Sequence, residues 1–130
     1  MKADPLRTAH GGFTDKTGVC RDFAHLAIAL CRCMNIPARY CTGYLGYLGY
    51  LGCLGDIGVP ADPNPMDFSA WFQVYLGGHW HTVDARHNKP RIGRILMATG
   101  RDATDVALST AFGPTTLARF EVITKETQQG

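Results

Sequence analysis

Thr17-Gly18-Val19-Cys20-Arg21-Asp22-Phe23-Ala24-His25-Leu26-Ala27-Ile28-Ala29-Leu30-Cys31-Arg32-Cys33-Met34 is the stretch on which the architecture turns. Phe23, Ala24, Ala27, Leu30, Cys31 and Met34 recur at helical spacing, Thr17 or Gly18 can cap the start, and Asn35 followed by Pro37 stops the run. Arg21, His25 and Arg32 form only a narrow polar stripe. A helix so apolar around its circumference is expected to be mostly buried, as the central element on which a sheet packs.

Downstream the pattern changes to strands. Ala38 to Tyr44 is rich in β-compatible residues and bounded by Pro37 and glycine. Phe68 to Leu76 and His79 to Asp84 read as a hairpin around Gly77-Gly78. Ile92 to Met97 reads as a further strand, Asp102 to Leu108 as a short helix, and Leu117 to Thr124 as a last antiparallel strand. Residues 1–16 are polar with scattered glycine and read as an edge or lead-in. One buried helix followed by antiparallel strands predicts an α+β domain with the Cys20 helix packed on the sheet.

Residues 44–55 break the pattern, because Tyr44-Leu45-Gly46 repeats through Leu54-Gly55 with a period of three. That period fits neither strand nor α-helix. Removing residues 47–55 leaves a continuous, ordinary loop, so the segment reads as a slippage expansion in a surface loop, with an apolar lid as the alternative.

With 130 residues the chain is expected to form one domain, and thirteen basic against eleven acidic residues give a net charge of +2 without a basic stripe. Nucleic acid and anionic membranes are therefore not expected partners. No apolar run approaches the length of a bilayer span, and Met1-Lys2-Ala3-Asp4-Pro5 lacks a secretory h-region, so the cytoplasm is the default location. Five cysteines form no paired framework, and Cys31-Arg32-Cys33 on one helix matches structural zinc spacing poorly, so neither disulfides nor a metal is expected.

Chemistry concentrates at two places. A thiol attacks as thiolate, and the free amides and dipole of a helix start favour negative charge; Cys20 occupies that place, and the same amides can hold an oxyanion. Cys31, eleven residues on, lies roughly 16 Å up the axis and is read as packing. In the hairpin, Leu76 opposing His79 places Trp71 opposite Asp84 and Ser69 opposite Arg86, all on one face. A histidine at position 69 would lie diagonally beside Asp84, the arrangement by which a carboxylate orients an imidazole. His79 and His81 fall on the other face by strand alternation, His25 lies about 140° from Cys20 around the helix, and His10 sits in the lead-in. His87, just past the strand end, is the remaining candidate base.

Gly18-Val19-Cys20-Arg21-Asp22-Phe23-Ala24-His25-Leu26, Ile36-Pro37-Ala38-Arg39-Tyr40 with Gly43-Tyr44, Ala70-Trp71-Phe72-Gln73-Val74-Tyr75 and Trp80 through Asp84 resemble the transglutaminase-like superfamily, the papain-related group that includes many bacterial domains. The resemblance spans roughly residues 15–125. It implies Cys20 as nucleophile and Asp84 as the residue orienting the base, acting on protein or peptide amides without a cofactor. The family's histidine corresponds to Ser69, and a hydroxyl cannot take a proton at neutral pH. Three expectations follow: a thiol acyl-transfer or amide-hydrolysis enzyme with another base, an impaired member that binds peptide or glycan-like ligands, or an assembly role for the Tyr-Leu-Gly segment. Because members commonly carry more chain before the cysteine, this sequence is also expected to be part of something larger.

Overall fold

The computed structural model describes residues 4, 6–45, 68–86 and 94–120. Two helices, α1 (Ala9–Asp15) and α2 (Cys20–Cys33), precede four strands, β1 (Ala38–Leu45), β2 (Phe68–Leu76), β3 (His79–Val83) and β4 (Arg94–Gly100), and a 3-10 turn at Ala103–Val106. The strands form one antiparallel sheet in the order β3-β2-β1-β4. The α+β class expected from the sequence is the class observed.

The stop signal at the end of α2 works as its residues dictate. Asn35 adopts a left-handed conformation with φ 58°, and the Asn35 and Ile36 amides donate to the Arg32 and Cys31 carbonyls at 3.1 and 2.9 Å. This pair of bonds is a Schellman closure with asparagine in the glycine position. Arg32 then donates to the carbonyls of Ala38 and Arg101 at 3.1 and 2.8 Å, tying the helix end to β1 and to the end of β4. So short a connection makes α2 and β1 an antiparallel pair. Fourteen helical residues and the strand from Ala38 to Tyr44 each span about 20 Å, which brings the head of α2 to the far end of β1.

Ala24 and Ile28 of α2 pack on Tyr40 of β1, on Ala70, Phe72 and Val74 of β2, and on Val106, with Cys20, Ala27 and Cys31 along the same helix face. The last turn of α2 is less covered than its composition suggested, with Leu30 and Met34 exposed. At the hairpin tip Gly77 and Gly78 both take positive φ, 60° and 84°, the mirror-type turn whose twist suits the strands.

Several boundaries differ from expectation. The helix starts at Cys20 rather than Thr17, because Val19 is extended and acts as the N-cap. A helix at Ala9–Asp15 occupies what read as a lead-in; Gly11-Gly12 hides it, yet Thr8 Oγ1 accepts from the Gly11 amide and Lys16 ends it in a left-handed conformation. The helix expected from Asp102 is the 3-10 turn, capped by Asp102, whose carboxylate accepts from the Thr104 amide at 2.8 Å. Residues 117–120 form no strand, and 121–124 lie outside the described residues, as do residues 46–67 with most of the Tyr-Leu-Gly repeat.

Candidate active site

Cys20 is the first residue of α2. Valine at the N-cap has no side-chain acceptor, so the helix start depends on Asp22, whose Oδ2 accepts from the Val19 amide at 3.0 Å. The Asp22 side chain is 4 % exposed, with Arg7 Nη1 at 4.0 Å from Oδ2 and Arg21 Nη2 at 3.5 Å from Oδ1. Cys20 itself is half-buried against the core that holds Tyr40. Burial holds the Tyr40 phenol above its ordinary range, and negative charge at Cys20 adds to the rise, so the phenol remains a proton-bearing neighbour of the thiol.

The other predicted residues lie on the sheet. Tyr44 pairs with Phe68 at the start of β2, and Val83 of β3 pairs with Phe72, so that Asp84 directly follows the last paired residue of β3. The expected pairing of Ser69 with Arg86 does not form: β3 ends at Val83, and Asp84 Oδ1 captures the Arg86 amide at 3.0 Å to close a turn. Alternation along β2 decides the faces. Ala70, Phe72 and Val74 point to α2. Ser69, which is buried, and Trp71 therefore point to the other side of the sheet.

Trp71, Asp84 and Arg94 form a cluster on that second side. Arg94 Nη2 donates to Asp84 Oδ2 at 3.0 Å, with the two side chains 11 % and 2 % exposed, and the guanidinium lies 5.0 Å from the Trp71 ring centre. Cys41, wholly buried beside Trp71, has its thiol pushed up to about 11 by burial, against the opposing charges of Arg39 and Arg94, and is inert packing. Gly43 makes the cluster possible: a Cβ there would stand 2.0 Å from the Ile95 carbonyl oxygen and 2.9 Å from Trp71 Cη2. Arg94 went unremarked in the sequence because its position depends on the β1–β4 register, which shifts between Thr42 and Gly43.

The statistical description of the transglutaminase-like superfamily matches residues 3–85. The chain belongs to that superfamily. An uncharacterized protein of Mycobacterium leprae, ML0607, is 36% identical over 90 residues, covering 69% of this chain and 30% of its own. The crystal structure of a "Putative Cysteine Protease" from Cytophaga hutchinsonii is 43% identical with a TM-score of 0.70, covering 87% of this chain and 34% of that one. The chain thus spans about a third of the length of each relative.

Within this transglutaminase-like domain His25 and His81 have partners of their own. His25 Nε2 accepts from the Ala103 amide at 3.1 Å, and its ring packs on Tyr40 with centroids 5.1 Å apart. His81 donates from Nε2 to the Leu76 carbonyl at 3.1 Å, and both His79 and His81 are exposed on the side opposite Trp71. His10 is an exposed residue of α1, and His87 lies outside the described residues. No three His, Cys, Asp or Glu side chains converge as metal ligands among the described residues, and no helix there is long and apolar enough to cross a membrane.

His25 supplies a pH prediction. Burial, with the charge of Arg21 next, lowers its pKa from 6.5, so it is neutral in the fold and keeps its bond from Ala103. Unfolded chains take up a proton near pH 6.5 and folded ones only at lower pH, so the stability held above 6.5 drains away as pH falls toward the folded value. Tm measured from pH 7.5 to 5 should therefore drop more steeply in the parent than in His25→Gln. Parallel curves would remove His25 from the acid response.

Proposed function

We propose that this domain keeps the thiol half of a cysteine acyl-transfer site and lacks the proton-transfer half. Cys20 takes an acyl group from an activated carbonyl, whereas ordinary peptide amides are bound far better than they are turned over. The reading is carried by one observation: Asp84, the carboxylate expected to steady a base, is engaged by Arg94 and by the Arg86 amide while the adjacent base position is Ser69. An arginine beside the carboxylate offsets the charge that would favour an imidazolium.

The chemistry separates two kinds of substrate. Attack of the Cys20 sulfur on a carbonyl forms a C–S bond and places negative charge on oxygen, which the unpaired amides of a helix start can stabilise. A nitrophenolate then leaves without needing a proton. An amine leaves only when protonated, and the Ser69 hydroxyl neither takes the thiol proton nor passes one on.

Incubation with p-nitrophenyl acetate should give a burst of p-nitrophenolate and an acetyl increment mapping to Cys20, both absent in Cys20→Ser. A peptide p-nitroanilide should show no Cys20-dependent turnover. Amide turnover at the ~1 per second of an ordinary enzyme, abolished by Cys20→Ser, would overturn the reading and point to a base elsewhere, with His87 the first to test.

A further inference from the structure

Strand β3 closes one side of the sheet, and among the described residues its outer edge has no partner strand. Leu76 and His79 close the two-residue turn at Gly77-Gly78, so His79, His81 and Val83 turn their backbone groups to β2. Trp80 and Thr82 therefore turn theirs to the open edge. Sheets usually protect such an edge with charged residues, proline or a bulge, because a row of unpaired amides and carbonyls is a template for another strand. β3 has none of these, and all five of its residues are exposed.

On the face shared with Trp71 this edge carries a fixed cation. Arg39 of β1 stands opposite Gln73 of β2, which stands opposite Thr82. Their side chains are linked in the same order: Arg39 Nε donates to Gln73 Oε1 at 2.8 Å, and Gln73 Nε2 donates to Thr82 Oγ1 at 3.2 Å. The guanidinium carbon lies 4.1 Å from the centre of the Trp80 ring, so a charge rooted two strands inward rests on a side chain of the edge strand. Tyr75 packs against the same indole with ring centres 5.3 Å apart, and the two residues are 42 and 40 % exposed. The Nη groups of Arg39 have no hydrogen-bond or ion-pair partner among the described residues. A planar fork held by a stack and an Nε bond loses little freedom on meeting a carboxylate. Arg39 is also the only Asp, Glu, Lys or Arg in β1, β2 and β3, so no acid of these strands neutralises it.

Edge and cation together select the occupant. The edge calls for an extended segment with its own amides and carbonyls, and the fork calls for a carboxylate on the Trp80 face of that segment. Opposed residues of neighbouring strands have Cβ atoms about 4.5–5.5 Å apart, so a side chain set against Trp80 touches the ring on which Arg39 lies. A second copy of the chain fits worse: pairing two β3 strands about a twofold axis normal to the sheet puts both Arg39 cations on one face of the joined sheet, with no acid in β3 to separate them. The geometry points to β3 as a docking edge for an extended acidic peptide, which adds as a strand through the backbone of Trp80 and Thr82 and sets a carboxylate on the Arg39 fork. The side chains involved lie on the sheet face turned from α2, and the site does not depend on the acyl-transfer reading.

The probe is acetyl-Thr-Val-Glu-Val-Thr-amide, titrated into the full chain and followed by backbone amide shifts and hydrogen exchange. Saturable shifts should centre on Trp80 and Thr82, whose amides should exchange more slowly in the complex. Glutamine or lysine in place of the central glutamate should weaken binding about tenfold or more. Arg39→Met keeps an aliphatic stem on Trp80 and should bring the glutamate and glutamine peptides within about twofold of each other. Cys20→Ser should bind as the parent does. Equal affinity of the three peptides, shifts that do not saturate or centre elsewhere, or a glutamate preference that survives in folded Arg39→Met would each overturn the proposal. So would binding lost in Cys20→Ser, which would place the peptide at the thiol, or a dimer that slows the same two amides without peptide, which would assign the edge to a second copy.

Discussion

Trp71→Ala should remove about 3–5 kcal/mol of stability, a large fraction of what a domain of this kind holds. Trp71 is 2 % exposed and one of the two largest fully buried side chains among the described residues. Its ring packs with Cys41, meets the Arg94 guanidinium and fills the space left by the missing side chain of Gly43. The backbone around that space is fixed by paired strands, since Trp71 stands opposite Cys41 and Gly43 opposite Leu96. A cavity bounded by two ladders relaxes little, which puts the loss toward the upper end of the range. Urea denaturation at pH 7 measures it. Trp71→Phe, which keeps an aromatic face for Arg94, should cost less than half as much; equal losses would show that the guanidinium contact is immaterial.

The same strand shows what was legible in the sequence and what was not. Gly77-Gly78 fixes a two-residue turn, and a two-residue turn fixes the pairing, so the register from Leu76–His79 to Phe72–Val83 followed from local chemistry alone. Asn35-Ile36-Pro37 likewise encodes where α2 must stop and β1 begin. Register away from a tight turn is different. Arg94 reaches Trp71 and Asp84 only because β4 carries an extra residue opposite the Thr42–Gly43 step of β1, and no local signal in Arg94-Ile95-Leu96-Met97 announces it.

Face assignment was the other missing piece. Alternation told which hairpin residues share a side, but not which side α2 would cover; that was decided by packing Ala24 and Ile28 on Ala70, Phe72 and Val74. Helix α1 was missed for a third reason. Its propensity is poor, and it is held by the Thr8 cap, by an Arg7–Asp15 ion pair at 2.9 Å and by contact with α2, all of which need tertiary structure.

Arg94→Met should cost about 3–5 kcal/mol, because it withdraws the positive charge from a carboxylate whose side chain is 2 % exposed. The Arg86 amide still meets Asp84 Oδ1, but a neutral donor does not replace a guanidinium. Joining Arg94→Met to Asp84→Asn removes both charges, and the double variant should be more stable than Arg94→Met alone, as expected when the damage comes from a carboxylate deprived of its guanidinium rather than from lost packing. A loss under about 1 kcal/mol, or a double variant no more stable than the single, would mean that Arg94 merely rests on the Trp71 face. The claim that Asp84 is tied up by arginine and kept from serving a base, which underlies the proposed loss of amide turnover, would then lose its energetic support.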